Sequence, residues 1–201
     1  MTTTSNRPDT VQRADHIPGP RQGEWTYAHY AALPEDGQRY EVLDGVLYMS
    51  PAPNLWHQRV AGEIFVHLRS HVIVTGLGEV FMSPVDVELA SRTVVEPDVV
   101  VVLRARAAIL RYDSRIIGTP DLVVEIASPS TARHDRQRKR DRYAHAGIPE
   151  YWLVDPVRQT VEILVLEGTA YRSTGLLAGP TPICSTVVPT MADVQVEQFF
   201  L

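Results

Sequence analysis

Leu122-Val123-Val124-Glu125-Ile126, a break at Ser128-Pro129-Ser130-Thr131, a charged stretch to Ala146-Gly147, then Tyr151-Trp152-Leu153-Val154 reads as strand, helix, strand. Gly147 supplies the helix stop. Working outward, Pro97-Asp98 heads Val99-Val100-Val101-Val102-Leu103, a run apolar at every position and so expected to be a strand buried on both faces. Tyr40 to Leu43 and Val46 to Met49 flank Asp44-Gly45, the pattern of a β-hairpin. Leu55 to about Thr75 reads as a long helix whose inward stripe is His57, Val60, Ala61, Ile64, Leu68 and Val72. Glu79 to Ser83, Val85 to Leu89 and Val161 to Leu166 are further strands, with Tyr171 to Thr174 and Val194 to Leu201 as edge elements. Shorter helical segments are expected over Trp25–Leu33 and Ala105–Arg111. The sum is an α/β fold, a mixed β-sheet flanked by a few α-helices with an N-terminal hairpin, formed by residues 24–201 as one domain. Residues 1–23 are polar and rich in Pro, Thr and Gly, and are expected to form a disordered arm.

Composition narrows the classes. Apolar content of 44% and charged content of 21% are those of a globular protein. No apolar run approaches the roughly 20 residues of a membrane span. The one cysteine, Cys184, excludes an internal disulfide and fits a reducing cytosol, so a cytoplasmic location is expected. Net charge is −5, yet Arg104 to Arg142 hold ten basic and five acidic residues, a local +5 against −10 elsewhere. Such asymmetry suits a face for a polyanion beside a cluster of carboxylates, or a solvated helix face.

Two carboxylates stand where burial is costly: Asp98 at the head of its strand and Glu125 inside its own. A divalent metal shared between strands would explain both, since hard ions such as Mg²⁺ take oxygen ligands; strand-end exposure or an ion pair is the alternative. The chain's 19 basic residues include a single lysine, Lys139. At roughly 100° per residue, Lys139 shares a narrow face with Ala132, Tyr143 and Ala146, so it points toward the sheet. There it would activate an attacking water and balance phosphate charge, or else pair with Asp135 one turn away, a role arginine fills equally well. Arg133, Arg136 and Arg140 are candidates for contact with a polyanion, and Tyr143 for packing or for positioning the lysine. His57, on the apolar stripe, is either a core histidine or a phosphate-contacting, proton-transferring one. Pro120-Asp121 competes with Pro97-Asp98, but Asp121 and Glu125 are ~13 Å apart along one strand, so Asp98 is preferred as the partner.

These segments, together with Glu41 in Tyr40-Glu41-Val42-Leu43-Asp44-Gly45, His57-Gln58-Arg59, and Gly147-Ile148-Pro149-Glu150-Tyr151-Trp152-Leu153-Val154-Asp155-Pro156, make the chain similar to the bacterial Uma-two family of restriction-endonuclease-like proteins, within the PD-(D/E)xK nuclease superfamily. The resemblance spans roughly residues 25–175. It implies a restriction-endonuclease-like core, Mg²⁺-dependent (or Mn²⁺-dependent) hydrolysis of DNA phosphodiester bonds, Asp98 and Glu125 as metal ligands with the Ile126 carbonyl, and Glu41 as an extra carboxylate. The superfamily's lysine two residues after the glutamate is replaced by Ala127, which leaves Lys139 to supply it. Duplex cleavage favours a homodimer. The alternative is a non-catalytic DNA- or partner-binding module of the same fold.

Overall fold

The computed structural model describes residues 10–127 and 134–201, without the side chains of residues 134–136. In chain order the elements are β1 (Gln12–Arg13), α1 (Tyr27–Tyr30), β2 (Arg39–Leu43), β3 (Val46–Ser50), α2 (Leu55–Val72), β4 (Gly78–Met82), β5 (Val87–Ala90), β6 (Thr93–Val95) and β7 (Val99–Leu103). They continue as β8 (Leu110–Arg111), β9 (Arg115–Ile117), β10 (Leu122–Ile126), α3 (His134–His145), β11 (Glu150–Asp155), β12 (Thr160–Glu167) and β13 (Ala170–Ala178). The architecture is mixed α/β, but with two sheets where one was expected. The larger has the order β13-β12-β11-β10-β7-β4; the smaller has the order β1-β3-β2-β6-β5-β9-β8.

β7 explains the layering. Val99 and Val101 pack toward the inward stripe of α2, while Val100 and Val102 join the core that includes Tyr143 of α3 and strands of the smaller sheet. A strand buried on both faces needs an apolar residue at every position, which is what its sequence has. β10 alternates likewise: Leu122, Val124 and Ile126 face the α2 core and Val123 the other, so Glu125 points away from α2 and toward α3. β10 and β11 are parallel and joined through α3; β10 and β7 are antiparallel. All six residues of the expected α2 stripe are buried. No helix among the described residues is long and apolar enough to cross a membrane.

Two expectations are corrected. Residues 10–23 are not a free arm: β1 pairs with β3, Ala14 is fully buried, and Gly23 N–H donates to Gly45 O at 2.7 Å. The reason is close approach. A Cβ on Gly45 would lie 2.3 Å from Gly23 O, and one on Gly19 would lie 2.5 Å from the Trp25 ring. Glycines that look like disorder in the sequence let the segment lie flat on the hairpin. Residues 1–9 of the expected arm lie outside the described residues. Val194 to Leu201 forms no edge strand: Val196–Phe200 is a 3-10 turn whose Val196 and Phe199 cover the α2 core. The apolar spacing there suits a cap over a helix rather than a strand face.

Candidate active site

Five elements meet at one point. The β2–β3 hairpin turns at Asp44-Gly45, both with positive φ (53° and 77°), as a tight two-residue turn requires. Its register sets Glu41 on the face shared with Arg39 and Leu43. Glu41 is buried, and its Oε1 accepts from the Glu96 N–H at 2.8 Å. Asp98, just before β7, accepts the Ile126 N–H on Oδ2 at 2.7 Å. From α2, His57 Nε2 lies 3.0 Å from the same Oδ2. From α3, Lys139 Nζ lies 2.9 Å from Glu41 Oε1 and donates to Glu125 Oε1 and Oε2 at 3.1 and 3.2 Å. One turn on, the Tyr143 hydroxyl donates to Glu125 Oε1 at 2.5 Å.

The electrostatics follow from three carboxylates crowded out of water. Burial drives the Glu125 carboxyl up; Lys139 and the Tyr143 hydrogen bond oppose this, Asp98 and Glu41 add to it, and the result is about 8. Burial also acts to raise Asp98, but the hydrogen bond and charge of His57, the Ile126 amide and Lys139 outweigh it and hold the group below the ordinary carboxylate range. Tyr143 is pushed well up by burial and by the two glutamates, so its proton stays on.

A supporting layer surrounds this cluster. Arg39 Nε lies 3.3 Å from Glu96 Oε2, and its Nη2 donates to Ser83 Oγ at 3.0 Å and to Glu96 O at 3.4 Å. Burial works against the Arg39 charge, but Asp98, Glu96, Glu41 and Glu125 together hold it above the usual arginine range. The Tyr30 hydroxyl sits 2.8 Å from both Asp86 Oδ1 and Glu96 Oε1. One hydroxyl donates one proton, so the second contact needs a proton on a carboxyl, and burial raises both acids. Sequence reading missed Arg39, Glu96 and Tyr30. Arg39 had a detectable signal, since it lies one residue before the expected Tyr40–Leu43 strand and at the same parity as Glu41.

Of the candidates chosen from sequence, Glu41, His57, Asp98, Glu125, Ile126, Lys139 and Tyr143 come together. Tyr143 is fully enclosed and packed edge-on against Tyr151, and its hydroxyl holds Glu125 rather than the lysine, so it packs and is not placed to bind substrate. Arg140, one residue on from Lys139 and so turned about 100° around the helix, donates to Tyr171 O of β13 at 2.9 Å, away from the carboxylates. Arg133 lies outside the described residues, as does the side chain of Arg136. Asp121 is occupied at the strand entrance by the Leu103 N–H at 2.8 Å and Arg106 Nε at 3.1 Å.

Among the described residues no group of three His, Cys, Asp or Glu is gathered at metal-holding spacing, and Lys139 bridges Glu41 and Glu125. The donor chemistry nonetheless fits a hard divalent cation. Every candidate donor is an oxygen, and Glu41 and Glu125 share the one Lys139 ammonium with Asp98 close by.

The sequence profile of the Uma2 family, described as "Putative restriction endonuclease", matches residues 27–197. The chain belongs to this family. Among solved structures, it is similar to "a putative nuclease belonging to DUF820" from Anabaena variabilis, with a TM-score of 0.71 at 21% identity over 88% of this chain and 97% of that one. The chain therefore shares the fold of that structure. No curated protein matches.

Proposed function

We propose that the chain is a metal-dependent endonuclease hydrolysing DNA phosphodiester bonds. The observation that carries the reading is the convergence of Glu41, Asp98 and Glu125, from three separate strand segments, on one lysine ammonium 2.9–3.1 Å from two of them. Asp98 and Glu125, with Glu41 and the Ile126 carbonyl, would hold Mg²⁺ or Mn²⁺. Bound there, the ion supplies a water of lowered pKa and polarises the scissile phosphoryl oxygen. His57 and the Ile126 N–H fix the Asp98 carboxylate; Tyr143 fixes Glu125. Lys139, released from one glutamate, orients the attacking water and balances charge on the phosphorane. Arg39 keeps Nη1 uncommitted among the described residues, and this edge of its guanidinium is suited to a phosphate oxygen.

A second reading, a non-catalytic DNA- or partner-binding module, is favoured by one observation: the lysine closes the Glu41–Glu125 pair as a finished ion cluster would. The test is plasmid and single-strand cleavage in Mg²⁺ and in Mn²⁺, native chain against Asp98→Ala. Metal-dependent cutting lost in Asp98→Ala supports the enzyme; equal cutting by both, or none by either, removes it. A homodimer is expected for duplex cutting and is read by sedimentation with and without DNA.

A further inference from the structure

We infer that the first turn of α2 is a stacking platform for an unpaired base, which makes single-stranded or locally unwound DNA the substrate of the adjoining site. This rests on the nuclease reading for the identity of the polymer.

Leu55 is 87% exposed and Trp56 63% exposed. The other two tryptophans, Trp25 and Trp152, are 1% and 0% exposed, so this fold buries its indoles wherever it uses them for packing. The inward stripe of α2 is complete without Trp56, and the helix start is already capped by Asn54, which accepts from the His57 N–H at 2.9 Å. Packing and capping therefore leave the ring unexplained.

Its neighbours point to nucleic acid. Trp56 immediately precedes His57, whose Nε2 lies 3.0 Å from Asp98. A strand that brings a phosphate to Asp98 thus passes the first turn of α2. Gln58 and Arg59 are exposed beside it, and Trp56 and Arg59, three apart, share a helix face. An exposed ring with a cation next to it is the pairing that holds single strands, the ring stacking on a base and the cation meeting the backbone. Beyond the Glu41 strand, Tyr48 is already covered by Arg138, whose guanidinium stands 5.3 Å over its ring and bonds its hydroxyl at 2.8 Å. That side offers charge, and the α2 side offers an open aromatic face.

A duplex has little use for such a ring, because its bases are already stacked on one another; an unpaired base has a free face. A second copy of the chain is a poor occupant. Two side chains fall far short of the roughly 800 Å² per partner that a stable protein interface buries.

The test uses the native chain in EDTA, so nothing is cut, titrated with oligodeoxythymidylate and with a duplex of equal length. With Trp25 and Trp152 buried, quenching of intrinsic fluorescence reports on Trp56. The expected result is quenching by the single strand and much less by the duplex. Trp56→Phe should bind the single strand within about threefold, and Trp56→Ala should bind it roughly 5- to 150-fold more weakly. DNA binding without quenching, equal quenching by duplex, or quenching on raising protein concentration alone overturns the platform and leaves the nuclease reading standing. No binding to either DNA by a folded chain overturns both.

Discussion

Glu125 and Glu150 stand on neighbouring parallel strands of one sheet, and both are carboxylates in a largely apolar surround. Glu150 is fully buried and its oxygens are filled by neutral donors: Trp152 Nε1, Ser185 Oγ, and the amide and hydroxyl of Thr186, each at 2.6 Å, and the Val187 N–H at 3.3 Å. Glu125 is met by a lysine and a tyrosine and faces two further carboxylates. The difference shows that burial cost alone does not decide how a carboxylate is satisfied. Closure by neutral donors makes a fixed part of the frame. Partial neutralisation by a shared cation leaves a group whose partners can be exchanged.

The sharpest way to break the contrast is to remove each charge in turn. Glu125→Gln should lower cleavage at least ~10³-fold while the chain stays folded. Glu150→Gln should leave kcat of the folded fraction unchanged but cost about 2–4 kcal/mol in urea unfolding, because a donor amide replaces an acceptor filled on both oxygens. Similar cleavage losses in both variants would erase the distinction.

Lys139→Arg comes next. It should keep DNA affinity and lower kcat about 100-fold, since a planar fork cannot take the position of a compact ammonium between two glutamates. Full cleavage by this variant would return Lys139 to a plain ion-pair role. Third is pH. Glu125 has a folded-state value of about 8 against 4.5 ordinarily, so the folded metal-free chain binds more protons than the unfolded one. Its stability contribution is therefore fully present below 4.5 and lost as pH rises to about 8. The urea midpoint of the metal-free chain should fall across that window, and Glu125→Gln should flatten the fall. Asp98, held low, acts in the opposite sense, its contribution being lost as pH falls below its ordinary 3.8. Smallest is Tyr143→Phe. It removes one bond to Glu125, and should cost about 1–2 kcal/mol and lower kcat roughly tenfold with KM unchanged.

Much of this was legible because periodicity is local. The six-residue stripe of α2, the Asp44-Gly45 turn and the all-apolar β7 each follow from a few consecutive residues. The inward direction of Lys139 needed only a helical wheel. What was illegible depends on partners distant in sequence. β6, β8 and β9 have two or three residues each, too few for a pattern, and their pairing makes the second sheet. His57 looked the same as a core histidine until the fold brought Asp98 to it. Glu150 was visible only as part of a motif, because its donors at 185–187 come from a segment with no regular pattern.

Two main-chain amides end on the site: Glu96 N–H on Glu41 and Ile126 N–H on Asp98. Each is a spectroscopic gauge wired to one carboxylate. An amide proton shifts with the charge of the oxygen it meets, so these two resonances would register an arriving cation or phosphate separately at each acid. The protein thus carries its own paired reporter, one on each sheet's contribution to the site, and needs no label to read which carboxylate a ligand engages first.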